Sequence, residues 1–261
     1  MGEITYPPPK GYPLGVTPWF KFGATLVIPL IKLISKREWR GAENIPKTGA
    51  AIVVSNHISY FDPLVFAHFL YGNGRAPRFL GKSELFKLPI IGTVLRGAGQ
   101  VPVERETENA KFALHHAVAF LHAGHLLGVY PEGTLTRDPG IWPMKGKTGI
   151  ARLAIMTKVP VIPCAQWGAQ ELLPPYSKRP LLVPRKTTQV TAGPPLDFSR
   201  WYGRADDIEA LNEATTYVMD TITGMVETLR GEKAPAQRLD PRTTSLPRTG
   251  NFRKKSKGSD K

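Results

Sequence analysis

In Asn56-His57-Ile58-Ser59-Tyr60-Phe61-Asp62, a histidine stands five residues before an aspartate and directly after the apolar run Ala50 to Val54. A neutral imidazole can take a proton from an alcohol, and a carboxylate bonded to its other nitrogen would orient the ring and stabilise its cationic form. On a regular helix this spacing turns the chain by about 500°, which leaves the two side chains roughly 140° apart. The pair meets only across a loop. If the loop folds back, His57 is a candidate general base and Asp62 its orienter. The same residues also fit ordinary roles, with Asp62-Pro63 as the start of a helix and His57 as a polar strand end.

The elements that must position this pair follow from hydrophobic patterning. Ala50 to Val54 reads as a strand buried on both faces. Leu126 to Tyr130, which delivers Pro131-Glu132-Gly133-Thr134, reads as a second, and Val159 to Pro163 as a third. Helical spacing runs from Thr107 to Ala123 with a stop at Gly124, and a shorter helix is expected over Gly149 to Thr157. From Asp207, Ile208, Leu211, Val218, Ile222, Met225 and Leu229 fall mostly on one helical face. Phe79 to Ile91 is a mixed apolar and basic segment. Strands alternating with helices predict one α/β domain, placed at residues 38–230.

The chain of 261 residues is 41% hydrophobic and 21% charged, enough for a real core without disulfides. Its net charge of +14 is uneven: residues 230–261 hold ten Lys or Arg against three Asp or Glu. Such a balance suits an anionic partner, whether nucleic acid, acidic membrane or phosphorylated substrate. Residues 231–261, poor in aliphatics, are expected to form a disordered basic tail. Apart from Phe252 they lack the interleaved aromatics of a single-strand nucleic-acid binder, and no nucleic-acid partner is expected. An acidic inner leaflet satisfies the same charge.

The N-terminus has no basic, apolar and cleavage regions of a secretory signal, and Tyr6 stands where a myristoylation motif needs Ser or Thr. Phe22 to Ile31 is uncharged, interrupted by Pro29 and too short for a span, which needs about 20 residues. Residues 1–37 are therefore read as a polar arm followed by a helical segment lying in the membrane interface. Trp19 and Phe20 would sit at headgroup level, with Lys32, Lys36, Arg37 and Arg40 facing anionic lipid.

Other motifs fall away. Gly81-Lys82-Ser83 and Gly146-Lys147-Thr148 resemble the end of a P-loop, but the required first glycine is Ala76 in one and Ile141 in the other. His115, His116, His122 and His125 lack ligand partners at metal spacing and read as solvated surface; no metal site is expected. A Gly-x-Ser-x-Gly elbow is absent, and the lone Cys164 reads as a packing residue.

His57 and Asp62 match the HxxxxD motif of the glycerolipid acyltransferases, and four ordered blocks extend the match over residues 41–163. Gly41-Ala42-Glu43-Asn44-Ile45-Pro46 leading to Asn56-His57 resembles the opening block of bacterial 1-acyl-sn-glycerol-3-phosphate acyltransferases (lysophosphatidic acid acyltransferases). Lys82 to Gly92 resembles the segment that follows. Gly99-Gln100-Val101-Pro102-Val103-Glu104-Arg105, Tyr130-Pro131-Glu132-Gly133-Thr134 and Val159-Pro160-Val161-Ile162-Pro163 resemble the second, third and fourth motifs.

The resemblance implies a central sheet flanked by helices. It also implies acyl transfer from acyl-coenzyme A or acyl carrier protein to 1-acyl-sn-glycerol 3-phosphate at the cytoplasmic face of the membrane, with no further cofactor. Site roles carried over are His57 and Asp62 as catalytic pair, and Arg105, Glu132, Gly133, Thr134 and Lys145 around the acceptor and its phosphate. Glu132 would orient glycerol hydroxyls or a nearby cation. Val161, Ile162 and Pro163 would form the fourth motif or line an acyl groove. One departure stands out: the third motif usually continues with arginine, where this chain has Leu135. Arg137, Lys145 or Lys147 could replace that cation, or the acceptor could be glycerol 3-phosphate, another lysophospholipid or an envelope lipid. A non-catalytic lipid-binding protein is disfavoured, since it has no use for an oriented base. Chain length, donor carrier and oligomeric state have no motif in the sequence.

Overall fold

The computed structural model describes residues 4–103 and 109–244. Arg105, the expected phosphate ligand of the second motif, lies outside the described residues.

Helix α1 (Pro18–Ile34) starts at the N-cap Thr17, whose hydroxyl accepts from the Phe20 N–H at 3.1 Å, with proline at the first helical position. Strands β1 (Ser35–Arg40) and β2 (Ala51–Ser55) follow, then α2 (Asp62–Gly72), β3 (Arg78–Lys82), α3 (Ser83–Phe86), α4 (Pro89–Gly97) and β4 (Val101–Val103). The second half comprises α5 (Asn109–His122), β5 (Leu126–Val129), α6 (Gly149–Thr157), β6 (Val161–Trp167), α7 (Ala169–Leu172), β7 (Lys186–Ala192) and α8 (Ile208–Arg230).

The seven strands of the described residues join one sheet in the order β1-β7-β6-β2-β5-β3-β4. From β6 to β4 the strands run parallel, whereas β7 pairs with β6 antiparallel and carries β1 alongside itself in parallel. The all-buried β2 splits its side chains by the two-residue period of a strand. Ala51 and Val53 meet Val65, Phe66, Phe69 and Leu70 of α2 on one face, while Ile52 and Val54 meet α6 and α8 on the other. The result is the expected α/β architecture, with a central sheet between helices.

Several expectations need correction. Lys36, Arg37 and Arg40 are not on the N-terminal helix but on β1, so the sheet begins at Ser35, before the expected boundary at 38. Phe20 is not at a free surface level: its ring stacks on Tyr71 of α2 at 5.4 Å. The polar arm is tied to the body, with Leu14 N–H donating to Gly74 O at 2.8 Å and its carbonyl accepting from Ala76 at 2.9 Å. His125 is buried rather than solvated, its Nε2 lying 3.0 Å from Pro7 O.

The described part of the expected tail, residues 231–244, also lies on the body. The Lys145 N–H donates to Leu239 O at 2.9 Å, and the Arg238 guanidinium reaches Asp220 and Thr223 of α8 at 2.8 and 3.0 Å. Residues 245–261 lie outside the described residues.

Candidate active site

Strands β2, β5 and β6 point the same way, so the loops that leave them share one edge of the sheet, where open α/β folds bind ligands. The end of β2 is pinned to β6 by a reciprocal pair of bonds. Asn56 Nδ2 donates to Gln166 O at 3.0 Å, and the Gln166 N–H donates to Asn56 Oδ1 at 2.8 Å. Gln166 Nε2 also donates to Ser55 Oγ at 3.1 Å. All three side chains are wholly buried.

Beyond this anchor the chain turns sharply and brings the candidate pair together. His57 Nδ1 lies 2.9 Å from Asp62 Oδ2, and the same oxygen accepts from the N–H groups of Ile58 at 2.5 Å and Ser59 at 2.7 Å. The alternative of a plain helix cap does not hold: the N-cap of α2 is Phe61, and the Asp62 carboxylate turns back to the loop. One wholly buried carboxylate oxygen thus gathers the ring and two backbone amides of the turn. In the tautomer this bond selects, Nδ1 carries the proton and the Nε2 lone pair is left for a ligand. The imidazole keeps 13% of its surface exposed and stacks on Tyr130 with ring centres 4.2 Å apart. Burial and the nearby Asp62 charge hold the Tyr130 phenol well above its usual range, so beneath the histidine it is a neutral hydroxyl.

The loop after β5 grips the backbone of His57 from both sides. The Glu132 Oε1 accepts the His57 N–H at 3.0 Å, and the His57 carbonyl accepts the Thr136 N–H at 2.8 Å. The other Glu132 oxygen accepts the Met144 N–H at 2.9 Å. Glu132 is therefore a buried clamp between two backbone segments, not a group aimed at glycerol hydroxyls or a cation. Burial outweighs these bonds and pushes its carboxyl up to about 8.

The remaining expected residues separate. Gly133 holds φ +69°, and a Cβ there would lie 3.0 Å from Cε of Lys147, so the Lys147 side chain passes over the third motif. Thr134 and Leu135 are linked to a residue the sequence did not single out. The buried Tyr176 donates from its hydroxyl to Leu135 O at 2.9 Å, with the Thr134 side chain beside it. Lys145 pairs with Asp240 at 3.4 Å, while Arg137 is buried. Val161 and Ile162 are core residues on opposite faces of β6, and Pro163 is buried with them, which removes them from a groove wall.

Neither nearby nucleophile is poised to attack. Ser59 Oγ donates to Leu173 O at 2.7 Å, and Cys164 is wholly buried among apolar side chains that push its thiol far up. Among the described residues the site therefore presents an oriented histidine at the carboxyl edge of an open sheet, the arrangement found in proteins that bind and activate small groups at that edge.

The chain belongs to the acyltransferase family: the family model described as Acyltransferase matches residues 36–167, half of its length. It is 32% identical over 176 residues to an uncharacterized protein of Mycobacterium tuberculosis, covering 62% of this chain and 47% of that one. It is 32% identical over 126 residues to the 1-acyl-sn-glycerol-3-phosphate acyltransferase of Borreliella burgdorferi, covering 47% and 48%. The chain thus spans about half the length of these curated relatives. Among solved structures, the 1-acyl-sn-glycerophosphate acyltransferase PlsC of Thermotoga maritima superimposes with a TM-score of 0.62 at 26% identity, covering 82% of this chain and 83% of that one.

Proposed function

We propose that this protein transfers a fatty acyl group from an acyl thioester to the free hydroxyl of 1-acyl-sn-glycerol 3-phosphate, giving phosphatidic acid. The observation that carries the reading is the 2.9 Å bond from Asp62 to His57 Nδ1 at a strand end. Nε2 takes the hydroxyl proton as the oxygen attacks the thioester carbonyl. The tetrahedral intermediate collapses with release of the thiol, which receives that proton from the imidazolium. The thioester is already activated, so no acyl-enzyme and no cofactor enter the scheme. Acyl-coenzyme A and acyl carrier protein both fit as donors.

Arg105 remains the proposed phosphate ligand of the second motif. For the cation missing at Leu135, the position of Lys147 over Gly133 favours Lys147 over Lys145, which Asp240 engages. The same Leu135 motivates a second reading in which the acceptor carries a different headgroup.

The protein is proposed to act as a peripheral or monotopic enzyme at the cytoplasmic membrane face. No helix among the described residues is long and apolar enough to cross a membrane. Trp19, Phe22, Leu26, Leu30 and Leu33 of α1 are all exposed and, at 100° per residue, fall within about 80° of arc. That stripe supports a helix lying in the interface.

The test is acyl transfer by the purified full chain in lipid micelles, with palmitoyl- and oleoyl-coenzyme A against lysophosphatidic acid, glycerol 3-phosphate and other lysophospholipids. Preference for lysophosphatidic acid, lost in His57→Ala, is expected. Turnover confined to another acceptor would transfer the reading to that lipid, and full activity of His57→Ala would remove the proposed base.

A further inference from the structure

Leu181, Leu182 and Val183, on the segment between α7 and β7, are 51%, 41% and 89% exposed. Single apolar residues on a surface are ordinary, whereas three in succession form a patch that calls for a partner. The segment is held firmly at both ends. On the side of the active site, the Leu173 carbonyl accepts from Ser59 Oγ at 2.7 Å, and the Leu181 N–H donates to Leu172 O at 2.7 Å. At the other end, Arg185 Nη2 donates to the carbonyls of Lys32 and Ser35, the latter at 2.9 Å. Arg185 thereby fastens the segment to the end of α1, next to the exposed Leu33.

Charge surrounds this patch with one sign. Lys178, Arg179, Arg185 and Lys186 flank the three aliphatics, and no acidic residue occurs between Glu171 and Asp197. The adjoining chain from Ile4 to Arg37 is also free of acidic residues. A short aliphatic tip rimmed by long cationic side chains matches the boundary between acyl chains and anionic headgroups, because the tip can bury while the charges stay with the phosphates. It matches a protein partner less well, since it offers no aromatic anchor and no mixed-sign rim.

We propose that residues 178–186 are a second membrane-docking element whose partner is the surface of an anionic phospholipid bilayer. The proposal rests on the reading that the acceptor is a membrane lipid. Two contacts, α1 and this segment, fix the orientation of the body where one helix would leave it free to roll. The segment is tied through Leu181 to Leu172, whose neighbour Leu173 accepts from Ser59 Oγ, so docking sets which way the catalytic edge faces.

The test compares the full chain with a Leu181→Ser/Leu182→Ser/Val183→Ser variant on vesicles of phosphatidylcholine alone or mixed with phosphatidylglycerol. The triple variant is expected to lose at least about tenfold in affinity for the anionic vesicles while keeping its circular dichroism and its turnover of a short-chain, non-micellar acceptor. Because Cys164 is wholly buried, Val183→Cys can be labelled selectively with a polarity-sensitive fluorophore. Its emission should shift to the blue on anionic vesicles and much less on neutral ones. Unchanged binding by the triple variant, or no shift from the labelled site, would overturn the proposal. So would a dimer that the triple variant abolishes without any change in vesicle binding, which would assign the patch to a second copy. Vesicle binding is read without turnover, so the docking result stands or falls whatever the acceptor panel gives.

Discussion

Three neighbours fix His57: a carboxylate on the ring, and a glutamate and an amide on its backbone. Replacing the ring by alanine should lower kcat by about 10²- to 10⁴-fold, the usual worth of a general base. The melting temperature should barely move, since Asp62 keeps its two amide donors. Asp62→Asn preserves the shape but removes the charge that stabilises the imidazolium, so kcat should fall by about 10²-fold or more with KM little changed. Glu132 gives a different signature. Glutamine has one acceptor oxygen where Glu132 uses two, so Glu132→Gln leaves the N–H of His57 or Met144 unpaired at a cost of roughly 1–3 kcal/mol. The pH dependence follows from its raised carboxyl. Between the ordinary value of 4.5 and about 8, the unfolded chain releases this proton while the folded chain holds it. The stability from this group is therefore full below 4.5 and lost as the pH rises to about 8. Chemical denaturation at about pH 5 and about pH 8 should show the gap between wild type and Glu132→Gln narrowing at the higher pH.

At the scale of elements, β7 depends on the turn that precedes β2. Gly41 sits at φ +69°, and a Cβ there would fall 1.9 Å from the carbonyl oxygen of Ala192 at the end of β7. Gly41→Ala should therefore destabilise by roughly 1–3 kcal/mol or more, from the left-handed backbone and the clash together, read as a lowered melting temperature. What the sequence makes legible here has a physical pattern. Strands β2, β5 and β6 are buried on both faces and appear as continuous apolar runs, and α8 announces itself by its spacing. Strands β1, SKREWR, and β7, KTTQVTA, are partly exposed and largely polar, so they carry no such run. The His57–Asp62 pair is legible because it is local. The clamp role of Glu132 is not, because its partners are backbone amides 75 and 12 residues away. Tyr176 is hidden for the same reason: its acceptor, the Leu135 carbonyl, is 41 residues distant.

Across the whole molecule, the described part of the C-terminal segment behaves as structure. A chain ending at Thr244 keeps the bonds from Lys145 to Leu239 and from Arg238 to α8, whereas one ending at Arg230 loses them. Since exposed ion pairs are worth little and a backbone bond about 1 kcal/mol, the shorter chain should be less stable by roughly 1–3 kcal/mol, measured by thermal denaturation of the two truncations. The register of the sheet edge carries a last consequence. Ser35 stands opposite Lys186, so the strands that follow α1 and the Leu181–Val183 segment begin side by side and run in the same direction. A pull along those strands, applied at helix and loop together, reaches the rest of the sheet through the antiparallel ladder between β7 and β6. Its hydrogen bonds then share the load in shear instead of opening one after another like a zipper, so the two proposed docking elements would hold the body through what is mechanically a lap joint, strongest along the strands.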